Sequence, residues 1–192
     1  MRHATILTKK LGFTLFETLI SISIGITLFG LVLGIYTLSL RSLADNQNRS
    51  ELTQESRSIL ERLTRDIREA KQITTALPQT NDDPQNPPVS EIKLEDGHTG
   101  ILQYIRYYIT ETDLKRQILQ YHFSSDPSVL VPFDSADDFG NPPDESIITD
   151  DLVSKFIESI GYYGQNPISV ELVLLKGSIR YPSRISLYGR NF

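Results

Sequence analysis

The 192-residue chain contains no Cys, no Trp and one Met, which excludes disulfides and thiolate chemistry. Its formal charge is -5, which opposes general nucleic-acid binding. The first twelve residues hold Arg2, Lys9 and Lys10 and no acid, so the remainder, with 16 basic and 24 acidic residues, carries -8.

After the cationic start comes Lys9-Lys10-Leu11-Gly12-Phe13-Thr14-Leu15-Phe16-Glu17, then 23 residues, Thr18 to Leu40, without a charge. At about 1.5 Å per residue, a helix of that length crosses a hydrocarbon core. The lysines on its flank predict a cytoplasmic N-terminus and an extracytoplasmic remainder after Arg41. The run is longer than the apolar region of a cleaved secretory signal. Tyr36-Thr37-Leu38-Ser39-Leu40 also offers no small-x-small cleavage site. Glu17 is the anomaly, because a carboxylate in a membrane helix costs about 2.5–3.5 kcal/mol. Gly30-Leu-Val-Leu-Gly34 has the spacing that lets helices approach closely, although glycine is frequent in membrane helices in any case.

Beyond Arg41 the period stays helical. Leu52, Ser56, Ile59, Leu60, Leu63, Ile67, Ala70 and Ile73 recur at three- and four-residue steps. The charged face offers Glu61/Arg65, Arg62/Asp66 and Arg65/Glu69. The spacing predicts one helix from about Phe13 to about Thr75, roughly 90 Å long. Four prolines in residues 77–88 then end it. Strand patterns follow at Val89–Glu95, at Ile101/Ile105/Tyr107/Ile109, at Leu114–Phe123 after a turn at Thr110–Asp113, at Ile168–Leu174 and at Arg184–Tyr188. Asp134–Glu145 reads as a loop. Asp150–Tyr163 stays open, because Leu152, Val153, Phe156, Ile157 and Ile160 fit a helix while Ile160–Tyr163 also starts a strand. The sum is an α+β plan, a long helix against a mainly antiparallel sheet.

The string from Lys9 to Glu17, followed at once by an apolar helix, resembles the processing site of type IV prepilins and pseudopilins. Phe16 stands where that family more often has an aliphatic residue, and the family's mid-helix proline is missing. The resemblance implies a pilin-like fold, and cleavage by a prepilin peptidase between Gly12 and Phe13 with N-methylation of Phe13. It implies four segments: a leader 1–12, a membrane and assembly half 13–40, an amphipathic half 41–76 and a β-rich head 77–192. Glu17, fifth in the mature chain and linked in the family to methylation, would meet a terminal ammonium. Its own terminus lies one helical turn away, and the resemblance points to a neighbour's terminus as the useful partner. Leu63-Thr-Arg-Asp66-Ile67-Arg68-Glu-Ala70, Ile105–Ile109 and the ending Ile185-Ser-Leu-Tyr-Gly-Arg190-Asn191 are similar to W-type minor pilins and J-type pseudopilins of type II secretion. Plain solvated helix charges account for Asp66 and Arg68 equally well.

The expected role is therefore a minor subunit that starts or caps a pilus or pseudopilus, a substrate of an enzyme and not an enzyme. Its implied partners are the peptidase, other pilins and an inner-membrane assembly platform. Its implied place is the cytoplasmic membrane, in one pass. The alternative of another class is a single-pass anchored binding or sensor protein, for which Glu17 is incidental. No catalytic constellation stands out. His3 lies in the leader, and His98 and His122 lack neighbours at metal spacing. No cofactor is implied. The acidic loop with Asp134, Asp137, Asp138 and Asp144 is a weak calcium candidate, suggested by pseudopilins that hold calcium in this part of the head, but its spacing is not that of an EF-hand. Arg106, Lys115 and Arg116 among Tyr104, Tyr107, Tyr108, Tyr121 and Phe123 have the mix of a nucleic-acid stacking platform, which the net charge opposes.

Overall fold

The computed structural model describes residues 14–190. Helix α1 (Leu15–Glu69) is followed by nine strands: β1 (Gln72–Ile73), β2 (Ile92–Glu95), β3 (Tyr104–Thr110), β4 (Asp113–Phe123), β5 (Asp126–Leu130), β6 (Asp144–Ser154), β7 (Ile157–Tyr163), β8 (Ile168–Lys176) and β9 (Ile179–Leu187). All strand pairs are antiparallel, so the plan is α+β. The chain divides into two compact units, residues 1–46 and 47–192.

Within the first unit, residues 15–46 are helical and every described side chain is exposed. The helix is long and apolar enough to cross a membrane. Five of its hydroxyls are turned onto their own backbone. Thr18 donates to the Thr14 carbonyl (3.1 Å), Ser21 to Glu17 (2.8 Å), Ser23 to Leu19 (2.9 Å), Thr27 to Ser23 (2.9 Å) and Thr37 to Gly34 (2.9 Å). A polar atom satisfied within its own helix does not need water, which suits a segment surrounded by hydrocarbon.

In the second unit, the C-terminal half of α1 packs against two sheets. One sheet runs β1-β2-β3-β4-β5, with β6 on β4, and the other runs β7-β8-β9. The helical period places Leu52, Ile59, Leu63 and Ile67 on one stripe, and each is fully buried. They meet Ile92, Leu94, Ile105, Tyr107 and Leu114 of the first sheet and Ile160, Tyr162, Val170, Leu172 and Leu174 of the second. Each such aliphatic side chain contributes about 1.5–3 kcal/mol by leaving water. A smaller cluster on the other face of the first sheet gathers Tyr104, Leu119 and Tyr121, with Val131 and Phe133 packed against it. An isolated bridge, Val89–Tyr162, ties the segment before β2 to β7, with backbone bonds of 3.2 and 2.9 Å.

Two expectations are corrected and one open reading is resolved. The helix ends at Glu69, not near Thr75. Its last bond is Ala70 N–H to Asp66, after which Lys71 and Thr74 donate to Glu95 and Lys93 and the chain becomes a sheet edge. The β-branched run Ile73-Thr74-Thr75 favours that exchange. Asp150–Tyr163 forms two strands and no helix, divided near Phe156, which takes a positive φ of 66°. The stretch Asp134–Glu145 is a loop only to Pro143, because β6 starts at Asp144.

Candidate functional site

The features that bear on function begin where α1 starts. Thr14 precedes the first helical residue and Glu17 lies in the first turn. The Thr14 N–H donates to Glu17 Oε2 (2.9 Å), as does the Thr14 hydroxyl (2.9 Å), and the Glu17 N–H donates back to Thr14 Oγ1 (3.3 Å). This is a reciprocal capping box. It satisfies donors that a helix start leaves orphaned and sets a carboxylate against the positive end of the helix dipole. Thr14-Leu-Phe-Glu17 before an apolar run carries the S/T-x-x-E signature. The expectation that Glu17 meets a terminal ammonium did not include this cap.

Lys9, Lys10, Gly12 and Phe13, the remainder of the expected processing site, lie outside the described residues. The apolar face beyond the cap is open along its length, with Phe16, Ile26, Phe29 and Ile35 at 72, 69, 65 and 69% exposure. A Cβ placed on Gly25, Gly30 or Gly34 meets nothing within 4 Å, so packing within the chain does not require those glycines.

The acidic loop is organised by its own backbone. Asp137 Oδ1 accepts the N–H groups of Phe139 (2.9 Å) and Asn141 (2.7 Å), and Oδ2 accepts the Asn141 amide (2.9 Å). These bonds hold the Asp137 carboxyl below the usual range, the Asn141 side chain most strongly. Asp144 takes a hydrogen bond from Ser124 Oγ. Among the described residues no three His, Cys, Asp or Glu side chains are grouped to hold a metal ion. Asp134 and Asp138 therefore do not join Asp137 and Asp144 in a ligand set. His122 Nε2 lies 2.8 Å from Ser146 Oγ.

The three cations of the stacking-platform pattern are each matched by a carboxylate. Arg106 binds Glu91 through Nε (2.7 Å) and Nη2 (2.8 Å), Lys115 is 3.7 Å from Asp150, and Arg116 Nε is 2.7 Å from Asp66. Tyr104, Tyr107 and Tyr121 are buried. Tyr108 and Phe123 are half-buried, and the Arg106 guanidinium lies over the Tyr108 ring at 4.9 Å.

Asp66 was ambiguous in sequence, between a family position and a solvated charge. It is buried, and it also accepts the Tyr107 hydroxyl (2.7 Å). Burial first, and then the Asp66 charge, push the Tyr107 hydroxyl far above its ordinary range, so it serves only as a donor. A hollow of about 380 Å³ beside this cluster is bounded by Asp96 and His98 as well as Asp66 and Arg116. Another, of about 510 Å³, is lined by residues 72–77 with Gln165 and Asn166, none of them ionisable. Its walls offer hydrogen bonds and apolar contact and no acid–base pair.

Comparison with protein-family models, with curated proteins and with solved structures gives no match to this chain.

Proposed function

We propose that the chain is a minor pilin- or pseudopilin-type subunit, matured by a prepilin peptidase between Gly12 and Phe13 and assembled through its apolar helix. The observation that carries the reading is the join at the helix start. A fully exposed apolar helix opens on a carboxylate, Glu17, one turn after Phe13, which is itself preceded by Lys9-Lys10-Leu-Gly12. A lone carboxylate at that depth needs a cation, and cleavage after Gly12 creates one, the ammonium of Phe13. The lysines hold the leader on the cytoplasmic side. Other pilins and an inner-membrane assembly platform are then its partners, and its work is mechanical rather than catalytic.

One observation favours the reading as a single-pass anchored binding or sensor protein. The capping box engages Glu17 Oε2 through Thr14 alone, a role at the helix start that requires no cleavage. Intact mass and N-terminal sequencing of the chain from membranes, with and without co-expressed prepilin peptidase, separate the two. The pilin reading expects a chain that begins at Phe13 and is heavier by one methyl group. A chain that still begins at Met1, while the same peptidase cuts a control prepilin, refutes that reading and leaves the anchored protein.

A further inference from the structure

β6 is the longest strand with an open side. It runs Asp144–Ser154, pairs with β4 on one edge, and among the described residues has no strand on the other. Long edges are normally blunted with lysine, proline or a cover, because their free N–H and C=O groups template another strand. Here the edge carries four acids and two register slips, and beside them exposed aliphatic side chains, with Ile147, Ile148 and Leu152 at 55, 53 and 48% exposure.

Charge narrows what can lie there. Residues 134–154 hold seven acids and no Lys or Arg. A polyanion or an anionic lipid surface is repelled. A second copy fares no better. Antiparallel self-pairing centred on Ile148 sets Asp144-Glu145 against Asp151-Leu152, with like charges opposed. The other edge with exposed arginines, β9, has Arg180 engaged by Glu158 at 2.6 Å and loses a donor at Pro182.

We infer that the open edge of β6 receives an extended segment of another protein, basic and apolar in alternation, by strand addition. Backbone hydrogen bonds supply the pairing, and Ile147 and Leu152 give apolar contact on the face they share with Glu145 and Asp150. Glu145 accepts the Tyr121 hydroxyl (2.6 Å) and Asp150 faces Lys115 (3.7 Å), so the charge preference rests on the excess of acid over base along residues 144–151. The β4–β6 register slips at Ile148 and at Val153, where β6 carries one residue more than its partner. Those slips restrict an added strand to the short runs 144–147 and 149–152, so the contact is specific in charge and readily reversible. The inference concerns the head alone and stands whether or not the chain is processed at Gly12.

The test uses the full chain in detergent micelles and three short synthetic peptides. One alternates lysine and valine, one alternates glutamate and valine, and one is the lysine peptide N-methylated at alternate residues. Binding is read by fluorescence anisotropy and by hydrogen exchange. The lysine peptide is expected to slow exchange within 144–154. N-methylation and Ile147→Lys are each expected to weaken it at least about tenfold, the second through like-charge repulsion. Because Ile147 is exposed, an unchanged thermal melt shows that the variant is folded. Protection of β9 or the loops instead of β6, no binding, or equal binding of the N-methylated peptide overturns the inference.

Discussion

Arg116 Nε and Asp66 Oδ2 lie 2.7 Å apart, with side chains 13 and 7% exposed, and this pair ties the helix to the central strand. The Tyr107 hydroxyl completes the carboxylate's bonding at 2.7 Å. Burying two charges is expensive, and their attraction offsets the cost only while both are present. Asp66→Leu or Arg116→Met alone is therefore expected to destabilise the chain by about 3–5 kcal/mol. The double variant should recover most of that loss, although Tyr107 then lacks its acceptor. Urea unfolding of the full chain in detergent checks this. Single costs below about 1 kcal/mol, or strict additivity in the double variant, would contradict a coupled buried pair.

Asp96 predicts an acid-sensitive corner. Burial pushes its carboxyl up. The His98 N–H (2.9 Å), the Gln103 amide (2.6 Å) and the Thr99 hydroxyl (3.1 Å) outweigh burial and hold it below its ordinary value. A depressed folded value means that the contribution is complete above the unfolded carboxylate value, about 3.9. It is lost as the pH falls through the lower folded value. Asp96→Asn should cost about 1–3 kcal/mol at neutral pH, as a charged acceptor is removed. The variant's stability should also fall less steeply than the parent's below about pH 4. Parallel unfolding curves across a pH series give the comparison, and identical acid limbs would refute the assignment.

The parts of the fold that were legible in sequence are those where burial is one-sided. The stripe Leu52, Ile59, Leu63, Ile67 and the alternation Ile168, Val170, Leu172, Leu174 of β8 record a single buried face, which periodicity reports directly, whereas β3 and β4 bury residues on both faces and show as strands through their β-branched and aromatic content. Asp150–Tyr163 was ambiguous for a physical reason. In β7 the register against β8 slips between Ile157 and Ser159, so Ile157 and Ile160, three residues apart, both reach the core. A bulge thus imitates the spacing of a helix. β6 was hidden because it is exposed over most of its length and interrupted by Asp150-Asp151, which leaves no alternation to read. Asp66 could not be assigned from its helix alone, since its partners come from β3 and β4. At the candidate site the opposite holds. The sequence presents the whole string from Lys9 to Glu17, and of it the described residues contain only Thr14 onward.

Gly97 marks where the β2–β3 loop closes on the end of the helix. A Cβ there would collide with the Glu69 carbonyl oxygen, a backbone atom that cannot rotate away. Gly97→Ala is expected to cost about 1–3 kcal/mol, as overpacking does. The loss should show as faster hydrogen exchange at the last turn of α1 and at Lys71, whose N–H is bonded to Glu95 at 2.9 Å. An alanine variant with the parent's stability and exchange pattern would mean that the loop does not rest on the helix.

The capping box gives a way to separate the two roles open to Glu17. A glutamine retains the acceptor that takes the Thr14 N–H and hydroxyl, so Glu17→Gln keeps the box and removes the charge. Thr14→Val does the reverse, since it removes the hydroxyl that accepts the Glu17 N–H and leaves the carboxylate. If the carboxylate pairs with a neighbour's terminal ammonium, Glu17→Gln leaves helix content unchanged but abolishes recovery of the chain in a sheared filament or tip-complex fraction. Thr14→Val then assembles, with the helix start weakened by about 1 kcal/mol. If the carboxylate is only a cap, Glu17→Gln behaves as the parent does, and Thr14→Val and Glu17→Ala share the same frayed first turn by hydrogen exchange. The two outcomes differ in which variant is silent, so one pair of substitutions decides whether Glu17 acts through its charge or through its hydrogen bonds.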